Sequence, residues 1–157
     1  MTNSTSTDDI VELNQLAYRY AAAVDACDVS AFQSVFASDA TLKVYRAGAD
    51  APYTDLKGHD QLALIPKTMR GMYRRTAHMM TNHLVDIRGE SATGEVLCIA
   101  RHLSADPNDQ TALNIIIRYR DRYIRLPQGW RISEREIRFQ WSERSTVLDS
   151  GAGNPKV

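Results

Sequence analysis

Four polar side chains stand where the surrounding pattern calls for apolar residues, and together they could carry out acid–base chemistry. Asp25 closes a helical run, His78 and Arg135 lie in strand-like runs, and Tyr20 lies in the apolar stripe that Asp25 flanks. A histidine that hydrogen-bonds an aspartate through one ring nitrogen is fixed in one tautomer and becomes more basic at the other. A sheet histidine that met Asp25 could therefore remove a proton, and an arginine or a tyrosine beside it could stabilise the negative charge that develops.

Each member of this set also has a purely structural interpretation. A buried arginine is often explained by a salt bridge or by a stem that reaches solvent, and this applies to Arg135. Asp25 could be a surface residue at a helix end, and His78 a hydrogen-bonded core histidine. Buried tyrosines usually pack and find one hydroxyl partner. Tyr18 competes with Tyr20, because it lies on nearly the same side of the helix as Asp25.

A second histidine, His83, follows His78 in the same strand-like run, "RRTAHMMTNHLVDI". Side chains of a regular strand alternate between its two faces, which predicts that His78 and His83 point in opposite directions. His83 is therefore interpreted as a structural or interface residue. The same alternation places Arg135 of the last strand on one face with three large apolar residues, Ile137, Phe139 and Trp141. His102, on a third run, could line a pocket or pair with a carboxylate.

The elements that must position these residues follow from hydrophobic periodicity. Residues 7–25 predict an amphipathic helix, a short helix surrounds Phe32, and residues 58–75 predict a helix that Pro66 kinks or divides. A strand is predicted near residues 38–47, followed by a loop or short hairpin. Four long strands are predicted at Thr76–Arg88, Ala92–Leu103, Thr111–Arg125 and Trp130–Trp141. Helices followed by strands predict an α+β fold, with N-terminal helices on a curved, mainly antiparallel sheet that encloses a pocket.

The overall composition narrows the function classes. A chain of 157 residues fits one domain, expected at 7–145 between a disordered N-terminus (1–6) and a C-terminal tail (146–157). Its 19 basic and 19 acidic residues balance, which argues against a nucleic-acid partner. There is no signal-peptide pattern and no apolar run of about 20 residues, which predicts a cytoplasmic protein without a membrane span. Two cysteines and no zinc-type spacing make a metal site a minor possibility.

With these residues in view, the chain resembles the SnoaL-like group of the NTF2-like superfamily of cone-shaped α+β proteins. Three stretches carry the resemblance: "LAYRYAAAVDACDVSAFQSVFASDATL", "YRRTAHMMTNHLVDI" and "IRYRDRYIRLPQGWRISEREI". Within that group it is most similar to the branch that contains scytalone dehydratase, bile acid 7α-dehydratase and hexachlorocyclohexane dehydrochlorinase. The resemblance covers nearly the whole chain between its two polar ends.

The resemblance implies a role for each of the four residues. Asp25 matches the branch's helix aspartate, His78 its strand histidine, and Arg135 its last-strand arginine, while Tyr20 matches a tyrosine of the bile acid enzyme. His102 is a loose match to a further histidine of the scytalone enzyme. The implied activity is an elimination without a cofactor, of the dehydratase or dehydrohalogenase type, on a hydrophobic cyclic small molecule. The resemblance implies that His78 is the base and that Asp25 orients it, while Arg135 and Tyr20 stabilise the negative charge that develops. A homo-oligomer is also implied, with a trimer favoured and a dimer possible.

Two alternatives stay open at this point. The first is another enzyme on the same fold, resembling ketosteroid isomerase or a polyketide cyclase, in which the same base acts but no group leaves. The second is a non-catalytic module that binds a small molecule. The combination of Asp25, His78 and Arg135 favours an enzyme over a binding module.

Overall fold

The computed structural model describes residues 7–147; the prediction for residues 1–6, and that for the 146–157 tail beyond residue 147, lie outside the described residues. The elements follow the predicted order of helices and then long strands, with one additional short strand and a divided third helix. They are α1 (Thr7–Asp25), α2 (Val29–Ser34), β1 (Phe36–Tyr45), β2 (Thr54–Lys57), α3 (Gly58–Leu62), α4 (Leu64–Met72), β3 (Tyr73–Arg88), β4 (Ser91–Ser104), β5 (Thr111–Leu126) and β6 (Gly129–Thr146).

The strands form one curved six-stranded sheet in the order β2-β1-β6-β5-β4-β3. All neighbouring strands are antiparallel except β1 and β6, which run parallel. The stretch predicted as a loop or short hairpin contains β2, which pairs with β1 from Thr41–Lys57 to Val44–Thr54. The predicted α+β class, with helices packed on a curved and mainly antiparallel sheet, is confirmed.

The apolar stripe of α1 packs against the inner face of the sheet. Its Leu13 is fully buried, and Leu16, Ala17, Tyr20 and Val24 are nearly so. Burying a large apolar side chain stabilises the fold by about 1.5–3 kcal/mol, so this stripe fixes the position of α1 across the sheet. The C-terminus of α1, where Asp25 is the last helical residue, consequently lies above β3.

The third helical segment is divided, as its proline predicted. α3 ends at Leu62 and α4 begins at Leu64, while Pro66 lies in the first turn of α4. The first backbone N–H groups of a helix have no partner within it, so a proline costs little there. Among the described residues, no helix combines the length and the apolar character needed to cross a membrane.

An irregularity in β3 overturns the prediction that His78 and His83 lie on opposite faces. Met80 pairs with Cys98 and His83 pairs with Val96, so β3 advances three residues while β4 advances two. This is a β-bulge, which reverses the alternation of all later side chains in the strand. His78 and His83 therefore both point to the inner face of the sheet, towards α1.

A second register shift, between β5 and β6, corrects the face predicted for Trp141. Phe139 pairs with Ile117, whereas Trp141 pairs with the neighbouring Ile116. Arg135 and Ile137 are buried on the inner face as predicted, and Phe139 packs against the core. Trp141 is 63% exposed and lies on the outer face. Because the shift adds one residue to β6 only, no count of alternate positions could have placed Trp141 correctly.

Candidate active site

The candidate site is centred on a contact between the end of α1 and the middle of β3. The Asp25 carboxylate lies 2.7 Å from Nδ1 of His78, which is the side-chain contact that the sequence predicted. The same carboxylate accepts hydrogen bonds from the backbone N–H of His78 at 3.0 Å and from the Thr76 hydroxyl at 2.7 Å. Three donors from one strand therefore fix both carboxylate oxygens and set the orientation of the imidazole ring.

The surroundings of Asp25 favour its ionised form. Burial by itself would raise the pKa of Asp25, but the hydrogen bonds from the His78 ring, the His78 amide and Thr76 outweigh it and hold the pKa below its ordinary value. An acidic residue at a helix C-terminus opposes the helix dipole, and these donors provide the compensation. An ionised carboxylate can only accept, so Nδ1 of His78 carries a proton and donates it to Asp25, while Nε2 faces His102.

His78 forms part of the wall of a cavity of about 540 Å³. This volume falls in the range of about 300–1,000 Å³ that small-molecule sites occupy. Its polar wall groups come from His78, His102, Tyr20, Tyr119, Tyr53, Thr54, Thr68 and Tyr73. The rest of the wall is apolar and comes from α1, α4 and the inner face of the sheet, including Val24, Ile65, Met69, Leu113, Ile115, Ile117, Ile137 and Phe139.

His102 on β4 lies beside the other ring nitrogen of His78. The two Nε2 atoms lie 3.4 Å apart, and the His102 ring also packs on Tyr73 with 4.5 Å between ring centroids. Burial, together with the neighbouring His78, lowers the pKa of His102 to about 4, so its ring is neutral at neutral pH. Its Nδ1 is buried and has no hydrogen-bond partner among the described residues. The sequence suggested a pocket position for His102 without assigning a role to it.

Tyr20 and Arg135 are adjacent, but only Tyr20 belongs to the cavity wall. Tyr20 is 2% exposed, whereas its competitor Tyr18 is 47% exposed and faces away from the core. The Arg135 guanidinium carbon lies 4.0 Å from the Tyr20 ring centroid, and its Nε and Nη2 donate to Asp121 at 2.8 and 2.7 Å. Within the described chain, Arg135 thus has the salt bridge of its structural interpretation, and it reaches the cavity through the tyrosine ring.

His83 lies on the same face as His78 but has different partners. Its Nδ1 is 2.8 Å from the side-chain oxygen of Asn14, and its Nε2 is 3.1 Å from the Tyr123 hydroxyl. Tyr123 in turn donates to Asp121 at 2.7 Å. Burial is the main cause that lowers the pKa of His83. Both ring nitrogens are engaged in a structural network, as the sequence interpretation of His83 expected.

Sequence reasoning missed Tyr119 and Asp121, which complete the polar surroundings of Arg135. They are two residues apart on β5, and Asp121 pairs in register with Arg135 on β6. The available signal was the alternation of "NIIIRYRDRY", which places Tyr119, Asp121 and Tyr123 on the inner face with Ile117. Among residues 7–147, no group of three or more histidine, cysteine or acidic side chains could hold a metal ion.

The sequence of this chain matches a known protein family. A family model described as a SnoaL-like domain matches residues 5–136. The uncharacterized protein Rv2910c of Mycobacterium tuberculosis is 31% identical over 137 residues, which covers 86% of this chain and 88% of that protein.

Solved structures share the fold at lower sequence identity. A proposed aromatic ring hydroxylase of Novosphingobium aromaticivorans has a TM-score of 0.78 at 24% identity, over 93% of this chain and 98% of that one. A proposed scytalone dehydratase of the same organism has a TM-score of 0.76 at 15% identity, over 90% and 94%. A hexachlorocyclohexane dehydrochlorinase of type 2 has a TM-score of 0.78 at 16% identity, over 96% of each chain. At these identities the likeness establishes the NTF2-like fold.

Proposed function

Since the chain belongs to the family of SnoaL-like domains, we propose that it is a cofactor-independent lyase for a hydrophobic cyclic small molecule. In this proposal His78 is the general base and Asp25 orients it. The reaction removes water or a halide by a dehydratase-type or dehydrohalogenase-type elimination. The homo-oligomer, with a trimer favoured, and the cytoplasmic location remain predictions.

The observation that carries the proposal is the 2.7 Å contact between Asp25 and Nδ1 of His78 at the wall of an apolar cavity. The ionised carboxylate holds the Nδ1 proton, so the Nε2 lone pair is available to accept another. When Nε2 takes a proton, the imidazolium that forms is stabilised by the adjacent negative charge. A base held in this way contributes roughly 10²–10⁴-fold to a rate.

The elimination uses one proton and one leaving group. His78 removes a proton from a ring carbon, the C–H electron pair becomes the new C=C bond, and the neighbouring carbon releases its hydroxide or halide. The Tyr20 hydroxyl, on the same cavity wall, donates a hydrogen bond to the departing group. A departing hydroxide leaves as water with the proton that His78 has taken up. His102 lies 3.4 Å from Nε2 of His78 and is neutral, so it contributes a hydrogen bond and no proton.

The cavity supports a substrate that is cyclic and largely apolar. Its volume of about 540 Å³ accommodates a fused-ring molecule, and aliphatic and aromatic side chains form most of its wall. Two of the structurally similar proteins are described as a scytalone dehydratase and a hexachlorocyclohexane dehydrochlorinase, and both names indicate eliminations from ring compounds. These names support the reaction class and leave the choice between water and halide to experiment.

The test is a turnover screen of the full chain with hydroxysteroids, hydroxylated aromatic compounds and chlorinated cyclohexanes. We expect loss of water or halide from at least one of these classes. His78→Ala should reduce that turnover by roughly 10²–10⁴-fold while circular dichroism shows a folded protein. His83→Gln is the matched control, because it changes a histidine of the same strand and face, and it should retain most of the turnover.

Three results would contradict the proposal. Unchanged turnover in folded His78→Ala would remove His78 as the base. A product with no group lost, in which only a double bond has moved, would assign the same base to the isomerase-like alternative. Ligand binding without turnover in either the wild-type or the variant protein would indicate a binding module.

A further inference from the structure

A second polar group lies behind Tyr20 and Tyr119 of the cavity wall and is built around a sealed ion pair. Arg135 and Asp121 form a bidentate pair at 2.7 and 2.8 Å, and both side chains are 0% exposed. A desolvated arginine requires such a partner, because an unpaired charge in the core is very costly. The salt bridge explains how the charge is tolerated, but it leaves open why a charge lies beneath an apolar cavity.

The orientation of the guanidinium suggests an answer. Asp121 accepts hydrogen bonds from Nε and Nη2 of the guanidinium. The guanidinium carbon lies 4.0 Å from the Tyr20 ring centroid and 4.5 Å from the Tyr119 ring centroid. Nη1 is buried and has no hydrogen-bond partner in the described part of the chain. The positive charge is therefore directed at two aromatic rings, where cation–π attraction is strongest once water is excluded.

Both rings belong to the cavity wall, and they touch each other edge to face with centroids 5.5 Å apart. A phenol that donates a hydrogen bond to an oxygen of growing negative charge itself becomes more negative. A fixed cation against its ring stabilises that change, and the effect is large where the dielectric is low. Burial raises the pKa of Tyr20, while the Arg135 charge and the Tyr119 hydroxyl oppose this rise.

We propose that Tyr119, Asp121 and Arg135 form a positioning unit that makes the Tyr20 hydroxyl an oxyanion-binding donor. Tyr20 touches the substrate oxygen, and the other three act through Tyr20. The cavity then takes ring compounds with an oxygen that becomes negatively charged, such as a phenolate, an enolate or a departing hydroxide. This inference rests on the proposed function only for the reaction, because anion binding by Tyr20 does not require His78.

The test uses 4-nitrophenol as a probe for the full chain, with 4-nitroanisole as a probe of similar shape that cannot form an anion. The affinity ratio of 4-nitrophenolate to 4-nitroanisole is measured by calorimetry, and absorbance gives the pKa of the bound phenol. We expect the wild-type protein to prefer the anion and to lower the pKa of the bound phenol. Tyr20→Phe should abolish that preference.

Tyr119→Phe and the double variant Asp121→Asn/Arg135→Gln should each lower the ratio by about tenfold, less than the roughly 10²–10³-fold cost of losing a direct oxyanion donor. Tyr123→Phe is the matched control, because it removes a tyrosine hydroxyl that donates to Asp121 and leaves the Asp121–Arg135 pair in place. Its ratio should stay unchanged.

The proposal is overturned if the wild-type protein shows no anion preference, or if the ratio is unchanged in Tyr119→Phe. An unchanged ratio in a folded double variant would likewise assign the ion pair to stability alone. Should the double variant not fold, Tyr119→Phe decides, since it keeps the ring and loses only the hydroxyl. Repeating the titration in His78→Ala separates the two proposals: an anion preference that disappears there would belong to His78 and would overturn the role of Tyr20.

Discussion

Two histidines on the same face of one strand have surroundings that differ in every chemically relevant respect. Nδ1 of His78 contacts the ionised carboxylate of Asp25, and His78 is part of the cavity wall. His83 has an uncharged partner, Asn14, on one nitrogen and the Tyr123 hydroxyl on the other. Both partners of Nδ1 come from α1: Asn14 lies in the middle of the helix and Asp25 is its last residue.

The comparison shows that a histidine becomes a candidate base through its partners rather than through its strand or its face. An adjacent carboxylate stabilises the imidazolium that forms during proton transfer, whereas an amide does not. Nε2 of His78 has only a long contact of 3.4 Å with His102 and belongs to a cavity-lining residue, so a substrate can reach it. Nε2 of His83 is hydrogen-bonded to the buried Tyr123 and does not line that cavity. His83 instead joins Asn14 of α1 to Tyr123 and, through it, to Asp121.

The largest expected effect comes from exchanging the two partners on α1. Asp25→Asn should lower turnover by roughly 10³–10⁴-fold, because an amide can donate to Nδ1 and hold His78 in the wrong tautomer, as the equivalent change does in a serine protease triad. Asn14→Asp should leave turnover nearly unchanged and raise the pKa of His83, which NMR titration measures. The interpretation fails if Asn14→Asp lowers turnover as strongly as Asp25→Asn.

The next effect concerns His102 and the response of stability to acid. A histidine whose folded pKa is lowered to about 4 resists protonation in the folded state, while the unfolded chain protonates near 6.5. Stability from this group is thus present above pH 6.5 and is lost as the pH falls towards 4. We expect wild type to lose up to roughly 3 kcal/mol more than His102→Phe across this window, measured by urea unfolding.

The lowered pKa of Asp25 affects stability in a lower pH range than that of His102, so the two contributions can be separated. Its contribution is present above the ordinary value of 3.8 and is lost only as the pH falls below it. The pKa of His83 is also lowered, so protonation of this residue in the unfolded chain lowers stability as the pH falls below 6.5. This loss is the same in wild type and in His102→Phe. Parallel stability curves for the two proteins between pH 6.5 and 4 would contradict the buried, neutral state of His102.

The smallest expected effect is on the His83 side and is limited to packing. A Cβ atom at Gly94 would lie 3.0 Å from both Nε2 of His83 and Cε2 of Tyr123, and 3.1 Å from the Leu84 carbonyl oxygen. Gly94→Ala should therefore destabilise the fold by about 1–2 kcal/mol, which thermal unfolding measures. Turnover per folded molecule should persist, because Asp25 and His78 are untouched. If turnover per folded molecule falls together with stability, the surroundings of His83 and His78 depend on each other.

Local periodicity predicted the α+β fold, and the resemblance to a known family implied the pairing of Asp25 with His78. An acid at a helix end that needs a donor, and a histidine on an apolar face, each break a pattern that can be read directly. The sequence left open whether Tyr18 or Tyr20 faces the pocket, because their burial differs only after α1 has packed on the sheet. His83 was assigned to the wrong face, because a β-bulge is a property of strand pairing.

The amino-acid sequence by itself determined the order of elements, the amphipathic α1, and the residue types from which a base and its acid could be drawn. Only the tertiary structure decided which of these residues meet. The bulge in β3 turned His83 towards Asn14, and the register of β5 against β6 paired Arg135 with Asp121. The reason is physical: side-chain contacts between distant segments depend on the register and packing of both, whereas periodicity describes one segment at a time.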